Sequence, residues 1–367
     1  MKSLPVLLLL AGLSAPALAQ QLPVIRANAT TVSIKDGRNF SKNVWTIEPA
    51  TKPDIYITSA KKVVFYTDVD SISIQVKQDK PQDFYILLNG KDSALTRVQY
   101  QLPRLEMLKK AKKYNYADKR EVPAFTYQSA DDEVLKNIRR EFKLDSIAGN
   151  GNEISQMINL MHWVHDIIRH DGNSNNPKLK NAVDIIAVCN KENRGVNCRM
   201  MATVLNECYL AMGFKSRFLT CMPKELKFDD CHVINMVYST DKQKWLWMDP
   251  TFNAYVMNEK GELLGPGEVR EKLISGQPLI LNPDANWNRK NSSTKEQYLE
   301  TYMAKNLYRL ETPVASVYNA ETGKWPAYVQ LVPLDALNQE STKADSMMKN
   351  GYRYQVTNNP DLFWVKP

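Results

Sequence analysis

Gly195-Val-Asn-Cys198-Arg-Met-Met-Ala-Thr-Val-Leu-Asn-Glu-Cys208-Tyr-Leu-Ala-Met-Gly213 is the stretch whose reading decides the fold. From Cys198 to Met212 the residues are apolar nearly all round, with Met200, Met201, Val204, Leu205 and Leu210 spread over every face. A helix of that kind is buried on most sides. Gly213 closes it as a left-handed cap. Ser216 to Thr220, Val233 to Tyr238 and Lys244 to Met248 then read as short strands, so one buried helix followed by an antiparallel sheet gives an α+β class.

The same stretch carries chemistry. Cys198 falls in the first turn of the helix, where unpaired backbone N–H groups and the helix dipole favour a thiolate. His232 stands on the strand Cys231-His-Val-Ile-Asn-Met-Val-Tyr238, and Asp249 closes Trp245-Leu-Trp-Met-Asp249 just before Pro250. If these two strands form a hairpin across Ser239 to Gln243, His232 and Asp249 become neighbours. A cysteine, a histidine and an aspartate in that arrangement are a nucleophile, its base and the group that orients the base. Cys208, deep in the helix, reads as an apolar core thiol.

The other cysteines, Cys189, Cys221 and Cys231, lie in the same central region. Their gaps are too wide and irregular for a zinc ribbon or finger. Cys221 and Cys231 flank the connection between two strands and are a candidate disulfide. Upstream, Ser129-Ala-Asp-Asp132 starts a helix with Leu135, Ile138 and Phe142 on one face. Gly149-Asn-Gly151 precedes a second, amphipathic helix with Ile154, Met157, Ile158, Met161, Val164 and Ile168 at helical spacing. His162, His165 and His170 lie on or just beyond this helix with Asp166, off the apolar stripe. They read as surface histidines, since the pattern is not His-Glu-x-x-His. Neither a metal nor a cofactor is expected.

The N-terminus has Lys2, an apolar run from Leu4 to Leu13 and Ala17-Leu-Ala19, the three parts of a cleavable secretory signal. Residues 1–19 are therefore expected to be removed, leaving Gln20 first and a periplasmic or secreted chain. No other segment approaches the roughly 20 uninterrupted apolar residues of a membrane span. The chain has 367 residues, enough for two domains, and a formal charge of +8, of which the signal holds one positive group. The charge is densest around Lys109-Lys-Ala-Lys-Lys113. That run reads as a solvated surface, with attraction to an anionic polysaccharide or membrane surface left open. An exported chain without a reader motif is not expected to bind nucleic acid.

Between Val32 and Tyr100, alternation in Ile55-Tyr-Ile57, Val63-Val-Phe65, Ile72-Ser-Ile-Gln-Val76 and Phe84-Tyr-Ile-Leu-Leu88 predicts strands, with Asn89-Gly90 as a hairpin turn. Residues 20–100 are thus expected to form a small antiparallel β-sandwich, an accessory domain without an aromatic platform. Residues 101–128 read as a connector with some helix, and 129–367 as the domain that holds the site. After Asn258, helices are expected at Glu268 to Ile274 and Ser293 to Leu310, and strands at Tyr328 to Val332 and Tyr352 to Val356. Trp287, Trp325 and Trp364 read as packing residues, with a cleft lining as the alternative.

Taken together, five ordered pieces resemble the transglutaminase-like superfamily, relatives of papain-type thiol enzymes. They are the helix Leu160 to Asp171, the Gly195-x-x-Cys198 helix start, Gly213-Phe-Lys-Ser-Arg217, the His232 strand and Asp249-Pro-Thr251. The resemblance implies a central helix packed on an antiparallel sheet, with Cys198, His232 and Asp249 as nucleophile, base and orienting acid. Ile234 stands where the family usually has tryptophan, and His170 where it has a helix-end tyrosine. Acyl transfer through a thioester is implied, on a peptide, protein or cell-wall-derived substrate. Hydrolysis is the expected outcome. A protein-cross-linking transglutaminase and a non-catalytic protein that binds a wall or surface polymer are the alternatives.

Overall fold

The computed structural model describes residues 22–49, 52–228, 230–323, 327–337, 347–349 and 352–367. The expected signal and Trp325 lie outside them. The chain divides between Leu102 and Pro103 into two compact units.

The first unit holds eight strands: β1 (Val24–Ala27), β2 (Thr31–Asp36), β3 (Asn39–Thr46), β4 (Asp54–Thr58), β5 (Lys62–Tyr66), β6 (Ser71–Gln75), β7 (Gln82–Leu88) and β8 (Asp92–Tyr100). They form two four-stranded sheets, β3-β2-β5-β6 and β1-β7-β8-β4. Inward residues such as Val32, Val63, Phe65, Phe84, Ile86 and Val98 make a common core. Asn89 and Gly90 both take positive φ between β7 and β8, the geometry of a tight hairpin. The expected wholly antiparallel pattern needs correction. β1 pairs with β7, and β4 with β8, in parallel. The chain leaves for the other sheet after β1 and after β4, and a strand that returns by a crossover need not run antiparallel to its neighbour.

The second unit is built on the central helix Cys198–Ala211, in which every residue from Met200 to Ala211 is buried. Helices Glu133–Glu141, Glu153–Ile167 and Ala182–Glu192 surround it. Asp132 caps the first of these by accepting from the Val134 N–H, and Asn152 caps the second through the Ser155 N–H. Met157, Leu160, Met161 and Val164 meet Met201, Val204 and Leu205 in one apolar cluster. Full burial of each such side chain contributes about 1.5–3 kcal/mol, and this packing, not propensity, holds the helix.

Its other face lies on a seven-stranded sheet. In spatial order the strands are Lys244–Met248, His232–Ser239, Ser216–Met222, Arg309–Pro313, Ala327–Leu331, Tyr352–Thr357 and Met347–Lys349. All neighbours are antiparallel except Ala327–Leu331 with Tyr352–Thr357. The helix expected from Ser293 to Leu310 is shorter, a π-helical segment Glu296–Met303 continued by the α-helical residues Ala304–Asn306. Arg309–Pro313 leaves it to become a wholly buried strand beside Ser216–Met222. The gain is a filled sheet position that local pattern does not reveal.

Arg217 ties this sheet to the C-terminal segment. It is fully buried, stacks 3.6 Å from the Phe125 ring and 4.9 Å from Trp245, and donates to the Phe363 carbonyl at 3.2 Å. Burial pulls its pKa down to about 10. Among the described residues no helix is long and apolar enough to cross a membrane.

Candidate active site

Gly195 explains itself first. A Cβ there would lie 2.5 Å from the Arg169 carbonyl oxygen and 2.8 Å from the Asp171 side chain. The two backbones touch because Val196 donates to Arg169 O at 3.0 Å and Asp171 donates to Val196 O at 2.8 Å. This short bridge sets His170 beside Val196 and directs the chain into the helix. Asn197 is the helix cap, its Oδ1 accepting from the Met200 N–H at 3.1 Å. Cys198 is consequently the first helical residue, partly buried, at the positive end of the helix dipole.

His232 opens its strand opposite Cys221. The adjoining hairpin pairs Asn235 with Met248, which carries Asp249 back to His232. His232 Nε2 lies 2.7 Å from Asp249 Oδ2, both side chains being buried. Nδ1 is the nitrogen left for Cys198. Asp249 Oδ1 accepts from the backbone N–H groups of Thr251 at 2.8 Å and Phe252 at 3.3 Å, and the Tyr298 hydroxyl donates to Oδ2 at 2.6 Å. The rings of Phe252 and Tyr302 stand edge-on to His232, with centroids 5.5 and 5.2 Å away.

The electrostatics follow from these contacts. Burial alone would raise the Cys198 pKa, but hydrogen bonds from His170 and His232, with the charge of His232, bring it down to about 6. Burial would lower His232, but the Asp249 carboxylate beside it raises it to about 10. Burial also opposes ionisation of Asp249, and His232 and Tyr298 nevertheless hold it below the usual carboxylate range. The directions of these shifts favour a thiolate on Cys198 and an imidazolium on His232, beside the Asp249 carboxylate. The remaining cysteines differ. Burial raises Cys189, Cys208 and Cys221, and it takes Cys231 to about 11.

All five cysteines are free, so the candidate Cys221–Cys231 disulfide is not formed. The histidines also need correction. His162 is half-buried and lies 3.4 Å from Asp284. His165 is buried, bonded at 2.9 Å to Pro250 O and to Asn286 Oδ1, and so fixes the loop after Asp249.

His170 belongs to the site. Trp287 Nε1 donates to its Nδ1 at 3.2 Å, which leaves the proton on Nε2 for the thiol. Asn288 accepts from the His170 N–H at 2.7 Å and donates to its carbonyl at 3.0 Å. Trp287 thus lines the site through His170, while Trp364 packs on Phe363 away from it. Among the described residues no group of three or more His, Cys, Asp or Glu is placed to hold a metal ion.

Residues 140–250 match the profile of the transglutaminase-like superfamily. No curated protein matches the chain. Among solved structures, a Cytophaga hutchinsonii protein described provisionally as a cysteine protease is similar at 17% identity and a TM-score of 0.27. The match covers 40% of this chain and 48%, about half, of that one. LapG of Legionella pneumophila is similar at 16% identity over 46% of this chain and 91% of its own, with a TM-score of 0.26. Red sea bream transglutaminase follows at 10% identity over 67% and 51%, with a TM-score of 0.23. The chain carries a transglutaminase-like domain over residues 140–250.

Proposed function

We propose that this protein is an exported cysteine hydrolase that cleaves a peptide or carboxamide through a thioester on Cys198. The observation that carries the reading is the Cys198 thiol at a helix N-terminus, held between two imidazoles, one of them bonded to a buried carboxylate. Cys198 Sγ attacks the carbonyl carbon and forms the C–S bond. The oxyanion is met by the Cys198 backbone N–H, which has no intrahelical acceptor in the first turn, and by His170 Nε2–H. Collapse breaks the C–N bond, and His232 Nδ1 delivers its proton to the leaving amine. Water, giving a proton back to His232, then attacks the thioester, releases the acid and restores the thiolate.

Hydrolysis is preferred to amine transfer because water needs no binding site of its own, whereas an acceptor amine does. Export rests on Lys2, the apolar run Leu4 to Leu13 and Ala17-Leu-Ala19. It predicts that protein recovered from the producing cell starts at Gln20. The reaction is tested by incubating the protein with a peptide library, with and without a primary amine. Free acid products and an acyl adduct on Cys198 are expected. Amine conjugates as the dominant product would make it a cross-linking enzyme, and no adduct on Cys198 from any peptide would remove the catalytic reading.

A further inference from the structure

Asp249 Oδ2 takes two hydrogen bonds, from His232 Nε2 at 2.7 Å and from the Tyr298 hydroxyl at 2.6 Å. The direction of the second is fixed, because Trp247 Nε1 donates to the Tyr298 oxygen at 3.1 Å and leaves the phenol proton for the carboxylate. With Thr251 and Phe252 on Oδ1, the buried carboxylate has four donors, which fills its acceptor capacity. Tyr298 and Tyr302 project from one face of the π-helical segment Glu296–Met303. Phe252 packs between them, 5.0 Å from Tyr298 and 5.6 Å from Tyr302, and Tyr302 in turn lies against His232. π-helical turns are rare and are frequently found at functional sites.

We infer that Tyr298 is a positioning residue for the acyl-transfer reaction, locking Asp249 Oδ2 onto His232 Nε2 so that His232 Nδ1 stays aimed at Cys198. It rests on the reading of Cys198, His232 and Asp249 given above and deepens it. The residue comes from a segment outside 140–250, so the site is completed by the C-terminal part of the chain. Without the hydroxyl, Asp249 Oδ2 keeps only His232 as a donor and the carboxylate is held less firmly, and the indole of Trp247 loses its acceptor. The imidazolium then spends less time on the thiol.

The test follows carboxamidomethylation of Cys198 by iodoacetamide against pH in the full chain, assigned by peptide mass spectrometry, for wild type, Y298F and H232A. Wild type is expected to have its midpoint at about 6. Y298F is expected to move it up by about one unit, which is about fivefold slower labelling at the wild-type midpoint, with the same limiting rate at alkaline pH. H232A should move it further. An unmoved Y298F beside a moved H232A would overturn the positioning role and leave the Cys–His–Asp reading standing. No movement in either would overturn both. A misfolded Y298F would betray itself by labelling of the buried Cys208 and Cys221. In that case Y298Q, whose side-chain amide can still donate to Asp249, carries the test. A midpoint near that of wild type supports the inference, and one raised as far as in H232A overturns it.

Discussion

Cys198 is set apart from the other four cysteines by its surroundings. Cys208 lies in the same helix, fully buried in the apolar cluster, and burial holds its proton. Cys198 has the helix end and two imidazoles. Two pH limits follow. The thiol ionises above about 6 and the imidazolium persists below about 10, so turnover should rise through the first value and fall through the second. A pH profile of kcat/KM with its acid limb near 9 would contradict this. Replacing His170 removes one of the two imidazoles that lower the Cys198 pKa. H170F should therefore raise the midpoint of Cys198 alkylation, while H170Q, which keeps a donor, should move it less. Cys198, His232 and Asp249 were legible because each stands at the start or end of an element that hydrophobic pattern defines. His170 showed only as an odd residue at a helix end. Tyr298 gave no signal, because its bond to Asp249 spans 49 residues without any periodic relation.

The elements around the site depend on one close approach. With a Cβ on residue 195 placed 2.5 Å from a backbone oxygen, neither strand of the bridge can yield without moving Cys198 or His170. Gly195→Ala is expected to cost about 2 kcal/mol or more, in the range of overpacking and strain, and to slow Cys198 labelling. Thermal unfolding measures the first effect, and an unchanged melting temperature with wild-type labelling would refute it. Helical and strand periodicity located the central helix and the three strands that follow it nearly to the residue. The same periodicity found the helix after Ser293 but ran it on to Leu310, because Arg309-Leu-Glu-Thr-Pro313 lacks alternation when both its faces are buried. His165 was misread for a related reason. Its buried ring is satisfied by Pro250 and Asn286, partners remote in sequence.

At the scale of the molecule, the first unit was legible from alternation alone, since each strand has one face in the core and the other outside. Its parallel pairs were not, because pairing direction depends on which sheet the chain crosses to. The second unit extends past its recognisable core. Arg309–Pro313 fills a place in the sheet, Tyr298 bonds Asp249, and the Phe363 carbonyl caps the buried Arg217. A chain truncated after Lys290 is therefore expected to lose cooperative unfolding in its second unit, seen as lost near-ultraviolet dichroism and rapid proteolysis. A truncated chain with wild-type protection would show that the C-terminal strands are dispensable.

The central claim is that one thiol in five is a poised nucleophile made so by His232. It is tested most directly by treating the full chain with a substoichiometric thiol-directed electrophile near neutral pH and mapping the adduct by mass spectrometry, in wild type and in H232A. The account predicts an adduct on Cys198 alone in wild type and its loss in H232A. Labelling spread over several cysteines, or on Cys198 to the same extent without His232, would contradict it.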